Sequence, residues 1–183
     1  MRRIVSIIIA LVFLCGCGNN SALDQGMTLR SKVGKGCAFD AQITADYGDK
    51  QYQFAMNCQF DAAGVLSFSV TDPSSISGIE GTVDETGGKL TFRDKALAFP
   101  SIADDLISPV AAPWLFVHGI RGGYLKSAEN KPDGSHIVID DTYRESVVQI
   151  DLYCDSKSIP VRGEILWNGR RILAIDVKNF VFQ

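Results

Sequence analysis

The stretch that sets the fold spans residues 37–60 and reads CAFDAQITADYGDKQYQFAMNCQF. Apolar and polar side chains alternate on either side of Gly48-Asp49, which predicts two strands with one apolar and one hydrated face. Glycine at the first central position favours a type II′ turn between antiparallel strands. The stretch therefore predicts a β-hairpin whose apolar face needs a cover. That face carries Phe39, Ala41, Ile43, Ala45, Tyr47, Tyr52, Phe54, Met56, Cys58 and Phe60.

Two cysteines, Cys37 and Cys58, fall on the apolar face of this hairpin. If Tyr47 pairs with Lys50, the cysteines stand diagonally, and a register shifted by two places them directly opposite. Either arrangement makes them a candidate cross-strand disulfide, provided that the Cβ geometry fits. The alternative is two small buried hydrophobic residues. Cys154 has no evident partner and is predicted to be a free core thiol.

Strand patterns continue along the chain. Leu66, Phe68 and Val70 extend the same apolar face, and Gly87-Gly88 is predicted to turn between two further strands. Asn168-Gly169 is the strongest hairpin signal. About ten strands are expected in all. The later ones are predicted at Gly81–Thr86, Lys89–Phe92, Ala96–Phe99, Tyr124–Ala128, His136–Ile139, Val147–Cys154, Val161–Trp167 and Arg171–Phe182.

Three short helices are predicted between and before these strands. Leu23–Val33 has apolar residues at roughly helical spacing. Ser101 is predicted to cap a helix that runs to Leu106, and Pro113 suits the first turn of another. That last helix is apolar nearly all round, which is typical of a buried helix. Its apolar residues are Trp114, Leu115, Phe116, Val117 and Ile120.

The N-terminus has the pattern of an export signal. Basic residues at 2 and 3 precede the apolar run Ile4–Leu14, which is shorter than the roughly 20 residues that span a bilayer. Leu14-Cys15-Gly16-Cys17 resembles the lipobox of bacterial lipoproteins. The resemblance implies cleavage after Gly16 and a diacylglyceryl group on Cys17; Cys15 fits less well, because Leu14 would then replace the small residue. The alternative is an ordinary signal with two incidental cysteines.

These patterns divide the chain into a signal peptide (1–16), a lipidated cysteine with a flexible tether (17–22) and a single domain (23–183). After cleavage, 16 basic and 21 acidic side chains remain. An acidic excess argues against nucleic-acid binding. Because of the export signal and the lipidated cysteine, the protein is expected on the extracytoplasmic face of the cell membrane, in a compartment that permits disulfides.

The order of predicted elements resembles the bacterial lipoprotein-carrier fold of LolA- and LolB-like proteins. The likeness is most specific at the C-terminus, in Val147–Leu152, Ile159–Ile165, Asn168–Leu173 and Asn179-Phe180. Residues 45–54 resemble small uncharacterised lipoproteins of Gram-positive bacteria. The resemblance implies an α+β, β-rich fold: a curved antiparallel sheet, an unclosed half-barrel, with short helices plugging its concave face. Relatives hold acyl chains or apolar peptide parts between sheet and plug.

The expected function is a non-enzymatic, membrane-anchored lipoprotein that binds a lipid or a lipoprotein acyl chain. The alternative is that the helices fill the concavity, which would leave an envelope protein-interaction or stress-sensing module. The residues expected to line the ligand site are Phe39, Ile43, Tyr52, Phe54, Met56 and Phe68 from the sheet and Trp114, Leu115 and Val117 from the plug.

Catalytic, metal and cofactor motifs are not evident in the sequence. His118 and His136 are the only histidines, and no HExxH, Cys-x-x-Cys or Gly-x-Ser-x-Gly pattern occurs. Asp104-Asp105 and Asp140-Asp141 are predicted to be solvated turns or helix caps. We therefore predict no catalytic residues, no metal site and no cofactor.

Overall fold

A computed structural model describes residues 21–93, 95–99, 102–103, 106–141 and 148–183. The predicted signal peptide, Cys17, Ser101 and Asp104-Asp105 lie outside the described residues. The helical elements are α1 (Ser21–Val33), a 3₁₀ helix (Pro109–Ala111) and α2 (Ala112–Gly122). The strands are β1 (Cys37–Asp46), β2 (Gln51–Phe60), β3 (Leu66–Asp72), β4 (Glu80–Asp84), β5 (Gly87–Phe92), β6 (Lys95–Phe99), β7 (Ile102–Ala103), β8 (Leu106–Ile107), β9 (Tyr124–Lys131), β10 (Gly134–Asp140), β11 (Val148–Asp155), β12 (Pro160–Trp167) and β13 (Arg170–Phe182).

Eleven strands form one antiparallel sheet in the order β6-β5-β4-β3-β2-β1-β13-β12-β11-β10-β9. The chain builds outward from β1 to one edge, crosses through α2, and returns from the other edge to β13. Pairing of β1 with β13, which sets Ile43 opposite Ile175, joins the two halves. Because β6 and β9 are the two ends of this order, the sheet is unclosed. The predicted half-barrel is confirmed.

The two hairpin turns with the clearest sequence signals form as predicted. Tyr47 and Lys50 bond through their backbones at 3.0 Å, and Gly48 takes a positive φ of 96°. Asn168 and Gly169 both have positive φ, at 48° and 79°, which a type I′ turn requires. These turns fix the register of β1–β2 and β12–β13.

Helix α2 lies buried against the concave face of the sheet. Trp114 and Phe116 are wholly buried in the single core cluster. The sheet accommodates the Phe116 ring at Gly163, where an added Cβ would lie 2.5 Å from two ring carbons. Gly119 meets the tip of Ile150 in the same way. Helix and sheet therefore approach more closely than two ordinary surfaces would allow.

The predicted turn at Gly87-Gly88 is wrong. The turn between β4 and β5 is Glu85-Thr86, because the Asp84 carboxylate accepts a hydrogen bond from the Thr86 amide at 2.7 Å. The glycines after it belong to β5, where Gly88 lies flat against the Phe99 ring. Gly87-Gly88 is thus a site of close approach rather than a turn.

The predicted helix from Ser101 to Leu106 is also wrong. Ile102–Ala103 pairs with Leu106–Ile107 as a small separate hairpin, β7–β8. Short segments with β-branched residues do not nucleate a helix well, whereas cross-strand pairing satisfies their backbone groups.

The N-terminal helix α1 begins at Ser21 and buries Ala22, so the helix starts inside the predicted tether.

The fit at Gly163 gives a direct test of the packing. We expect Gly163→Ala to lower the free energy of unfolding by about 1–3 kcal/mol, because the new methyl group would overlap the Phe116 ring. Gly122→Ala is the matched control, since an added Cβ there meets nothing within 4 Å. Denaturant unfolding of both variants measures the difference. Equal stability of the two variants would contradict the close contact.

Candidate functional site

The predicted lining residues separate into two groups. Seven of them are buried in the core: Phe39, Ile43, Met56, Phe68, Trp114, Leu115 and Val117. Of these, Phe68 and Met56 also border clefts that are lined mainly by polar residues. Phe54 is buried but borders a groove, and Tyr52 is 47% exposed on the same groove. The concave face is thus filled where α2 covers it, and the groove opens beyond the N-terminal end of α2.

The groove lies between the β1–β2 turn and the segment that leads from β8 into α2. Its volume is about 510 Å³, within the range that small-molecule sites occupy. Apolar and aromatic side chains form most of its wall, and polar groups stand at the rim. The groove is lined by Tyr47, Asp49, Lys50, Tyr52, Phe54, Ile107, Ser108, Pro109 and Val110.

A hydrogen bond fastens the two walls of the groove. The Tyr47 hydroxyl donates to the Ile107 carbonyl at 2.5 Å, and its ring meets Tyr52 edge-on with centroids 6.2 Å apart. Burial, with a smaller contribution from Tyr52, raises the pKa of Tyr47 to about 12. The phenol therefore stays neutral at physiological pH and holds the Ile107 segment against the hairpin.

Charged side chains stand only at the outer margin of this groove. Asp49 and Lys50 are exposed residues of its lining. Arg170 lies just outside, with its guanidinium near Gly48 and 3.9 Å from the Asp46 carboxylate. An apolar wall with a cation at its rim suits a ligand with an apolar body and a polar or anionic end.

Hydrogen bonds hold the plug in place. The Trp114 indole donates to the Gly64 carbonyl at 2.9 Å, and His118 stacks on Trp114 with ring centroids 4.4 Å apart. The Arg121 guanidinium donates to the Ala62 carbonyl at 2.9 Å. These contacts tie α2 to the β2–β3 turn. His118 is therefore a packing residue of the plug.

The cysteines lie in the diagonal arrangement that the Tyr47–Lys50 register predicts. Cys37 pairs with Phe60, and Cys58 pairs with Phe39. Both are buried free thiols, as is Cys154, so the alternative of small buried hydrophobic residues describes this structure in place of the bridge. Burial raises the pKa of Cys37 and of Cys154 to about 12, and it raises the pKa of Cys58 strongly.

The other polar residues singled out in the sequence, His136 and Asp140-Asp141, do not line the groove. His136 stacks on Tyr153 on the outer face of the sheet and lies 3.8 Å from the Asp151 carboxylate. Asp141 is buried, contrary to the solvated position predicted for it. Within the described part of the chain, no three His, Cys, Asp or Glu side chains are grouped to hold a metal ion. None of the helices described there is long and apolar enough to cross a membrane.

Solved structures with this architecture come from several bacteria. The chain is similar to an uncharacterized conserved protein from Thermus thermophilus at a TM-score of 0.50 and 11% identity, over 89% of this chain and 88% of that chain. A LolA superfamily protein from Nitrosomonas europaea is similar at 0.44 and 10% identity, over 86% and 93% of the chains. A putative outer membrane lipoprotein-sorting protein domain from Vibrio parahaemolyticus is similar at 0.46 and 9% identity, over 89% and 92%.

These likenesses concern the fold alone, since the identities are low. A LolA superfamily protein, the kind of protein that the sequence resembles, is among these similar structures. No protein-family model matches the chain, and a search of curated proteins finds no match.

Sequence reasoning missed four apolar or aromatic residues of the groove: Tyr47 as a lining residue, and Ile107, Pro109 and Val110. The alternation in β1 already placed Tyr47 on the apolar face. Ile107 ends the β7–β8 hairpin that was predicted as a helix, and Pro109 and Val110 follow it, so no sequence signal placed these three opposite Tyr47.

Burial of the thiols predicts their reactivity. In the native mature chain at pH 8, Cys37, Cys58 and Cys154 should resist alkylation, because the thiolate is the reactive species and burial disfavours it. Unfolding without a reductant should expose all three to a maleimide, counted by intact mass. Labelling of Cys154 alone would instead reveal a Cys37–Cys58 bridge.

Proposed function

We propose that this chain is a non-enzymatic lipoprotein, anchored to the extracytoplasmic face of the cell membrane, that binds an apolar ligand in the groove beside Tyr47. The observation that carries the proposal is the groove itself. It is an open, mainly apolar space of about 510 Å³ next to the part of the sheet that α2 packs against. The lipobox-like Leu14–Cys17 supports the anchor.

The ligand class that fits the groove is a single-chain amphiphile such as a fatty acid or one acyl chain of a lipid. Burying six methylene groups against Phe54, Ile107 and Val110 would contribute about 5 kcal/mol. Lys50 at the rim would pair with a carboxylate or phosphate end. Tyr47 donates its hydroxyl to Ile107 and so presents its ring to the ligand.

The two acyl chains of a diacylglyceryl group on Cys17 would hold the domain at the membrane stably. One chain binds a bilayer only marginally, whereas two anchor it. The connection is short, because only Gly18, Asn19 and Asn20 lie between Cys17 and the start of α1 at Ser21. The ligand site would then work close to a lipid surface, which is the source of amphiphiles.

Ligand binding is tested with a fluorescent fatty acid and the variant Tyr52→Glu. Tyr52 is half exposed, so the substitution preserves the fold while it places a negative charge on the apolar wall. We expect binding to weaken at least tenfold, in line with about 1.4 kcal/mol or more. Leu97→Glu is the control, because Leu97 is an exposed apolar residue on β6, away from the groove. Saturable binding that both variants retain would place the ligand elsewhere, and no binding by the unaltered protein would refute the proposal.

The anchor is tested by changing Cys17 to Ser in the full-length chain. We expect loss of labelling by radioactive palmitate and release of the protein from the membrane fraction, because the diacylglyceryl acceptor is gone. Cys15→Ser is the matched control and should stay acylated and membrane-bound. Retention of label in the Cys17 variant would contradict the assignment.

A second candidate function is supported by the packing of the core. The plug fills most of the concavity, and edge strand β6 leaves Leu97 64% exposed. The same fold would then serve as an envelope interaction or stress-sensing module that pairs through this edge. Crosslinking on intact cells separates the two functions: one partner captured through β6, with no fatty-acid binding, favours the module.

A further inference from the structure

Helix α1 exposes two large apolar side chains on one side. Leu23 is 38% exposed and Met27 is 52% exposed, and residues four apart share a helix face. The buried side of the same helix carries Ala22, Leu29 and Val33. The helix thus has more apolar surface than its own packing uses.

Another exposed aromatic residue stands on β9, the edge strand that lies beside α1. The Arg30 guanidinium donates to the carbonyl groups of Ile120, at 3.1 Å, and of Gly123. Gly123 directly precedes Tyr124, which is 64% exposed at the start of β9. Gly26, next to Met27, packs against the tips of Leu125 and Ile137. Tyr124 pairs with Asp140 and points to the opposite face of the sheet from Leu125, so α1 and Tyr124 flank the β9 edge from its two faces.

We call the set formed by Leu23, Met27 and Tyr124 the α1–β9 surface. Exposed Lys126 lies two residues after Tyr124, at the extra residue of a β-bulge, where Ser127 and Leu125 pair with consecutive residues of β10. Leucine and methionine partition into lipid, tyrosine prefers the membrane–water interface, and lysine extends toward phosphate groups. This composition is typical of a surface that lies on a bilayer.

The length of the chain before α1 places this surface near a membrane. Cys17 lies four residues before Ser21, and four extended residues span at most about 14 Å. Leu23 lies in the first turn of the helix. An acylated Cys17 would therefore hold the N-terminal end of α1 within that reach of the lipid headgroups.

We propose that the α1–β9 surface rests on the lipid bilayer and fixes the orientation of the domain above it. The proposal builds on the lipid anchor at Cys17, which brings the surface to the membrane. Leu23 and Met27 enter the interfacial region, while Tyr124 and Lys126 contact the headgroups. Leu97 is as exposed as Tyr124, but it lies on β6, at the opposite edge of the sheet from β9, and stays in water.

A fluorescent probe distinguishes contact from simple tethering. Met27→Cys, labelled with an environment-sensitive dye, is compared with Leu97→Cys in the full acylated protein; native Cys37, Cys58 and Cys154 are buried and stay unlabelled. On vesicles of phosphatidylcholine and phosphatidylglycerol, we expect the dye at 27 to shift to shorter wavelength and to be quenched by nitroxide lipids. The dye at 97 should do neither. Equal behaviour at both positions, shifted or unshifted, overturns the proposal.

A second arrangement separates failure of the contact from failure of the anchor. In this arrangement the mature chain lacks Cys17 and carries an N-terminal hexahistidine tag, which binds a nickel-chelating lipid in the same vesicles. Separately, the mass of the N-terminal peptide from the natural protein reports whether Cys17 is acylated. A shift at position 27 on the chelating vesicles supports the contact even if the natural peptide lacks acyl groups. An acylated peptide without any shift at 27 in either arrangement leaves the anchor intact and refutes the contact.

Substitutions on the surface itself complete the test. Leu23→Glu combined with Tyr124→Glu should abolish quenching of the dye at 27, since both side chains are exposed and the fold does not need them. Val161→Glu with Val181→Glu is the matched control, because both valines are exposed on other strands. Quenching that persists after the first pair of substitutions contradicts the proposal.

Discussion

The structure depends on the burial of α2 against the concave face of a one-sided sheet. Strands such as β1 and β11 alternate buried and accessible residues along their whole length, so their inner face has to be removed from water. Trp114 and Phe116 provide much of that cover and are wholly buried. The absence of a side chain at Gly163 lets the Phe116 ring reach the sheet. Loss of this contact would expose apolar surface on both the helix and the sheet.

The packing of α2 into the concave face determines where a ligand has room. Beside α2 the sheet has no space left, whereas the 3₁₀ turn ahead of it cannot cover the end of the β1–β2 hairpin. Tyr47 bridges that end through its hydrogen bond to Ile107 and keeps the two walls apart at a fixed width. The groove is therefore a consequence of how short the plug is, and its aromatic wall is the exposed end of the same apolar stripe that forms the core.

Much of the sheet was predictable because period-two alternation and turn chemistry are local. The pattern of residues 37–60 predicted the hairpin and its turn, but it left two registers open for Cys37 and Cys58; the Tyr47–Lys50 pairing selects the diagonal one. The β4–β5 turn was not predictable from its glycines, since an Asp84 hydrogen bond places the turn earlier and a ring contact explains Gly88. The division between core and groove was not predictable either. It depends on how closely α2 packs against the sheet. That distance is set by the side-chain volumes of residues on several distant strands, which no local sequence pattern encodes.

The two edges of the unclosed sheet differ in a way that follows from their surroundings. Strand β9 carries a bulge and the charged residues Lys126, Glu129 and Lys131, and α1 packs beside it; these features disfavour pairing with another strand. Strand β6 reads Lys-Ala-Leu-Ala-Phe and leaves four of its five residues exposed. An unclosed sheet has to protect both edges or use one of them. The protected edge, β9, is the one at the proposed membrane contact, where its neighbour would be lipid and not another strand. In that orientation the exposed edge, β6, faces away from the bilayer, where it can meet other molecules.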